Sequence, residues 1–143
     1  MPLPELDNLV RIGKLKTEPP APSELAGLLR SGGVRLADAE RAALSVESRF
    51  DLAYNAAHAF SLAALRWHGY RSENRYLVFQ SLTHTLNLPA AQWRVLDDAH
   101  RKRNLAEYEG DIDVDEALLA ALLRVTNEVS GRVRTLLATL PET

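Results

Sequence analysis

Ser48-Arg-Phe-Asp-Leu-Ala-Tyr-Asn-Ala-Ala-His-Ala-Phe-Ser-Leu-Ala-Ala-Leu-Arg-Trp-His68 is the stretch on which the fold turns. It is apolar almost all the way round, which suits a helix enclosed by other helices rather than one lying on a surface. Ser48 offers an N-cap and Gly69 a C-terminal stop, so the pattern predicts one long helix over 48–68. Ala53, Ala56, Ala57, Ala63 and Ala64 keep its surface thin enough for neighbouring helices to approach closely. Asp51, Asn55 and His58 depart from the pattern. Four and then three residues apart, they draw one polar line of short side chains where a solvated face more often carries Lys and Glu. A polar pocket shared with another helix accounts for that line.

Outward from this stretch the chain keeps to helix-forming residues. Leu, Ala, Arg and Glu dominate, with no Asn-Gly or Asp-Gly hairpin turn and no sustained apolar/polar alternation, so strands are not expected. On the N-terminal side, Leu6 to Leu15 reads as amphipathic, Pro19, Pro20 and Pro22 interrupt it, and Ser23 is the expected cap of the next helix. Leu25, Leu29, Gly32, Leu36, Ala39 and Ala43 hold one helical rhythm straight through Gly32-Gly33, despite a propensity cost of about 2 kcal/mol for the two glycines. On the C-terminal side a helix is expected over Asn74 to Leu86, and another starts with Pro89 in its first turn and stops at Gly110. Asp113-Val-Asp-Glu116 resembles a capping box for a last helix striped by Leu118, Leu122, Val125, Val129, Val133, Leu136 and Leu140. The expected architecture is all-α. Residues 1–22 form an arm with a short helix and a Pro-rich linker, and 23–143 form a compact up-and-down bundle of about five helices.

Composition narrows the chemistry. A hydrophobic share of 46% against 25% charged is an ordinary globular balance for one domain. The absence of cysteine excludes disulfides, thiolate catalysis and thiolate metal sites, and fits a cytoplasmic address. No basic-then-apolar leader opens the sequence and no run approaches the ~20 apolar residues of a membrane span, so a soluble protein is expected. A net charge of −2 argues against a non-specific nucleic-acid coat, while Arg101-Lys-Arg103 could still meet a phosphate locally. His58, His84 and His100 share no i, i+3 or i, i+4 relation, so no metal and no cofactor are expected. Neither Gly-x-Ser-x-Gly nor a phosphate-binding glycine loop is present, and Trp67, Trp93, Tyr54 and Tyr76 read as core aromatics.

The concentrated polar chemistry lies at His100-Arg-Lys-Arg-Asn-Leu-Ala-Glu-Tyr-Glu-Gly110. At helical spacing His100, Arg103, Asn104 and Glu107 share a face, with Tyr108 one turn beyond Asn104. One reading is a solvated face carrying an Arg103–Glu107 ion pair of about 0.3 to 0.5 kcal/mol. The other is a site. An arginine drawn into a bundle needs a carboxylate, and Asp51 on the central helix is its expected partner, with Asn55 and His58 beside it.

Arg103-Asn104-Leu-Ala-Glu-Tyr108, together with residues 48–58 and His68-Gly-Tyr-Arg71, resembles the HEPN superfamily over roughly residues 23 to 138. That superfamily comprises small all-helical bacterial domains marked by Arg, a polar residue that is often Asn, a few further residues and then His. The resemblance implies a homodimer whose two motifs face one cleft, cutting RNA without metal in the ribonuclease members. It also implies a toxin–antitoxin or defence setting, with an antitoxin or nucleotidyltransferase-like protein as partner. Arg103 matches the arginine that would hold the phosphate, and Asn104 the polar neighbour that would position it. The histidine is missing: Tyr108 stands five residues after Arg103, and no histidine follows His100. Metal-free cleavage wants an acid or base with a pKa near neutrality, which an unperturbed phenol near 10 does not supply. Three readings therefore stand: an RNA- or nucleotide-binding domain using Arg103, Asn104 and Tyr108; a metal-independent endoribonuclease in which Tyr108 or a nearby His substitutes; and a protein-interaction module whose polar cluster is structural.

Overall fold

The computed structural model describes residues 3–110 and 114–139. It is an all-α bundle: α1 (Pro4–Arg11), α2 (Pro22–Ala39), α3 (Val46–Trp67), α4 (Arg75–Gln80), α5 (Leu82–Thr85), α6 (Ala90–Glu109) and α7 (Glu116–Leu137), with one small antiparallel pair, β1 (Lys16–Thr17) and β2 (Tyr70–Arg71). No helix among the described residues is long and apolar enough to cross a membrane.

Helix α3 is the hub, packed mainly against α2 and α7 and touched by α4, α5, α6 and β2. Ala53, Ala56, Ala57, Ala63 and Ala64 are fully buried, as are Phe50 and Phe60, so the alanines bring the neighbouring backbones close and the two rings fill the space between them. Its N-cap is Ser45, whose hydroxyl accepts from the Ser48 N–H at 3.1 Å. The helix thus begins one turn ahead of the sequence expectation because Ser45, not Ser48, adopts the extended backbone of a cap. Gly69, at φ +91°, turns the chain out of α3 and into β2.

Helix α2 runs unbroken through Gly32-Gly33 but stops at Ala39, short of Ala43. It is entered by Pro22 at its first position, with no side-chain cap from Ser23. The two glycines differ. A Cβ on Gly32 would lie 2.8 Å from the fully buried Phe60 ring, whereas one on Gly33 would meet only the Arg134 guanidinium, at 3.1 Å. Gly32→Ala is expected to lower stability by about 1 to 2 kcal/mol despite better helix propensity, while Gly33→Ala should be neutral or stabilising by up to about 1 kcal/mol. Thermal melts of the two variants check this contrast.

The 74–86 segment is two short helices, not one. Asn74 caps α4 by accepting from the Leu77 N–H at 3.2 Å, and the Ser81 hydroxyl bonds back to the Leu77 carbonyl where α4 gives way to α5. Asn87, at φ +52°, then turns the chain, and Pro89 is the N-cap of α6 rather than part of its first turn. Gly110 ends α6 in the left-handed conformation. Asp115 caps α7, its carboxylate accepting from the Leu118 N–H at 2.7 Å. Asp113 and Leu140, assigned to that cap and stripe by sequence, lie outside the described residues.

The strand pair is the element that periodicity missed, since two residues per strand carry no alternation to detect. It ties the N-terminal arm to the end of α3, and Leu6 and Leu15 of the arm form a second small core with Leu65, Tyr70 and Val78. Arg66, 1% exposed, anchors this junction with four hydrogen bonds and one further ion-pair contact. They reach the Glu24 carboxylate (2.6 Å), the Glu18 carbonyl (2.8 Å) and carboxylate (3.1 Å), the Tyr70 carbonyl (3.2 Å) and the Pro19 carbonyl (2.8 Å). Arg71 joins from β2, pairing with Glu18 and Glu24, and the hydrogen bond from Arg66 holds the Glu24 carboxyl below its usual range.

Candidate functional site

Arg103 of the α6 motif reaches back to Asp51 of the α3 polar line, beside a cleft of about 390 Å³. It is lined by Tyr54, Glu73, Asn74, Arg75, His100, Arg103, Asn104 and Glu107. Arg103 Nη1 donates to Asp51 Oδ1 at 2.6 Å, so the motif arginine is held by α3 and not by Glu107 within its own helix. Its Nε is buried without a hydrogen-bond partner among the described residues. Glu107 lines the cleft and shows no ion pair to a described residue.

Tyr54 forms the floor. It sits three residues after Asp51 on α3, and the guanidinium carbons of Arg75 and Arg103 stand 5.4 and 5.5 Å from its ring centroid. Both ring nitrogens of His100 are engaged. Nδ1 lies 2.9 Å from the Tyr54 hydroxyl, and Nε2 accepts from Asn104 Nδ2 at 3.2 Å, which places the ring proton on Nδ1, directed at the tyrosine oxygen. Burial lowers the His100 pKa and raises that of Tyr54, so at neutral pH both are uncharged and the Tyr54–His100–Asn104 chain is a neutral one. It fixes the Asn104 amide at the cleft rim and leaves its oxygen and second N–H for other partners.

Asn55 Nδ2 donates to the Asp51 carbonyl one turn back at 2.9 Å, which turns Oδ1 outward to accept from Arg75 Nη1 at 3.1 Å. His58 does not line the cleft. It is half-buried with its ring against Phe79, and burial, then the charges of Arg75 and His100, pull its pKa down to about 4. Tyr108 does not line it either: it is 92% exposed, pointing off α6 into solvent beyond the last turn that packs on the bundle.

Of the residues singled out by sequence, Arg103, Asn104, His100, Glu107, Asp51 and Asn55 thus come together or hold those that do, while His58 and Tyr108 stand apart. Sequence reasoning missed Tyr54, which its spacing from Asp51 could have revealed, and Arg75, Glu73 and Asn74. Those three arrive through the turn after β2, and helical spacing on α3 or α6 gives no sign of them. No group of three or more His, Asp or Glu among the described residues is arranged to hold a metal ion. No protein-family model, curated protein or solved structure matches the chain.

Proposed function

We propose that the chain is a HEPN-like helical domain that binds a nucleotide or RNA phosphate in this cleft. The observation that carries the reading is the convergence of two guanidinium groups over the Tyr54 ring, with the Asn104 amide held at the rim. Guanidinium forks suit phosphate oxygens, and the buried Tyr54 ring supports both of them from below. In this reading the protein works as a homodimer in a toxin–antitoxin or defence module, alongside an antitoxin or nucleotidyltransferase-like partner. Leu105, 49% exposed, and Tyr108 lie three residues apart on the outer face of α6 and supply apolar surface for such a contact.

The placements favour binding over cleavage. Tyr108 lies outside the cleft, half-buried His58 packs its ring on Phe79 away from it, and His100 has both nitrogens committed, so none of the three stands ready as acid or base.

The test is affinity for a short single-stranded RNA and for nucleotides, with a cleavage time course in EDTA, on wild type and Arg103→Ala. Wild type is expected to bind and leave the RNA intact. Arg103→Ala should bind about tenfold more weakly, having lost one guanidinium and bared the Asp51 carboxylate. Unchanged affinity in the variant would remove the cleft from the function, and cut RNA would restore the endoribonuclease reading. Light scattering on the same sample checks for twice the 15.9 kDa chain mass.

A further inference from the structure

We propose that Arg75, which lies outside the Arg103-Asn104 motif, is the principal anion-binding group of this cleft, and that Asn55 is the residue that positions it. The inference rests on the phosphate-binding reading above and assigns the charge within it.

The two arginines are held by different chemistry. Arg103 faces a carboxylate at 2.6 Å, so the pair Asp51–Arg103 presents almost no net charge to a ligand. Arg75 faces an amide oxygen at 3.1 Å, which fixes the guanidinium but leaves its charge intact. The amide cannot turn away, because its nitrogen is tied to the Asp51 carbonyl. Asp51 and Asn55, one turn apart on α3, thus act as two anchors, one neutralising and one not. The remaining charged liners, Glu73 and Glu107, form no ion pair with either arginine. The Arg75 charge is felt around the cleft, where it disfavours protonation of both His58 and His100. An incoming phosphate finds at Arg75 a cation already oriented, 5.4 Å from the Tyr54 ring centroid and in no ion pair with the Glu73 and Glu107 carboxylates that share the cleft.

Single removal of Arg103 does not test this, because it also bares Asp51. The clean comparison deletes the neutral pair together, as Asp51→Asn with Arg103→Gln, against Arg75→Gln alone, and adds Asn55→Asp. That last change keeps the guanidinium held but places a negative charge beneath it. The probes are inorganic pyrophosphate and a short single-stranded RNA, read by titration calorimetry, with a thermal melt of each variant as the folding control.

The expected result is a loss of about tenfold or more in affinity for Arg75→Gln, a comparable loss for Asn55→Asp in a protein that melts near wild type, and a smaller loss for the pair deletion than for Arg75→Gln. A structural role for Asn55 alone would leave affinity untouched in a folded Asn55→Asp protein. If the pair deletion abolishes binding while Arg75→Gln and Asn55→Asp retain it, the assignment to Arg75 is overturned and the cleft reading stands. If wild type binds neither probe, both fall together.

Discussion

Replacing Arg66 by methionine is expected to lower the free energy of unfolding by about 3 to 5 kcal/mol, the largest effect of any single polar change considered in this protein. Methionine matches the volume but supplies no N–H donor. The Glu24 carboxylate and the carbonyls of Glu18, Pro19 and Tyr70 would lose their partner at a position that is 1% exposed. The loss should be local before it is global. Without Arg66 the β1–β2 pair has only Arg71 to hold it to α2, and Arg71 is a third exposed and better able to use water instead. Urea denaturation gives the magnitude, and amide exchange should show residues 3–20 opening ahead of α3. A loss below about 1 kcal/mol would mean the arm is held by the Leu6–Leu15–Tyr70 contacts alone.

Acidification is expected to destabilise the fold well above the range in which carboxylates titrate, and His58 is the reason. Its folded pKa, about 4, lies below the 6.5 of the unfolded chain, so between these values the unfolded state binds more protons. Stability contributed by the neutral ring is therefore full above about pH 6.5, falls as pH drops toward 4, and does not change further below that. At pH 5 the loss amounts to about 2 kcal/mol relative to pH 7.5, an upper figure because the ring is only half-buried. His100 shifts in the same direction and adds to the slope. Glu24 works in a separate window: its carboxyl is held below 4.5, so its share is lost only as pH falls past that value. Melts at pH 7.5, 6 and 5 on wild type and His58→Gln separate these contributions. The variant should lose most of the dependence above pH 5, and an unchanged slope would place the acid sensitivity elsewhere.

Much of the architecture was legible because its signals are local. Apolar alanine-rich sequence around 48–68 required burial, and the structure buries Phe50, Ala53, Ala56, Ala57, Phe60, Ala63 and Ala64 completely while leaving the Asp51–Asn55–His58 line partly open. The rhythm through Gly32-Gly33 required one helix, and a glycine proved necessary where Phe60 presses against α2. Helix ends were less legible, because Ser23, Ser45 and Ser48 are all competent caps and the choice depends on which residue the preceding loop leaves extended. In the cleft, the Asp51–Arg103 pair could be anticipated from a polar line on one helix and an arginine on another that needed a carboxylate. The exposure of Tyr108 could not, since spacing places it on the motif face without saying where the bundle ends.

The class of fold, the central helix and the two polar helix faces each follow from the period of side chains along one segment. That Arg75 joins Tyr54 in the cleft, that His100 bridges Tyr54 to Asn104, and that Arg66 clamps the arm are consequences of packing between segments. Arg75 lies 20 residues from Asn55, and Arg66 lies 42 to 48 residues from Glu24, Pro19 and Glu18. Contacts over such separations depend on how the loops return the chain, and no periodicity within a helix encodes that.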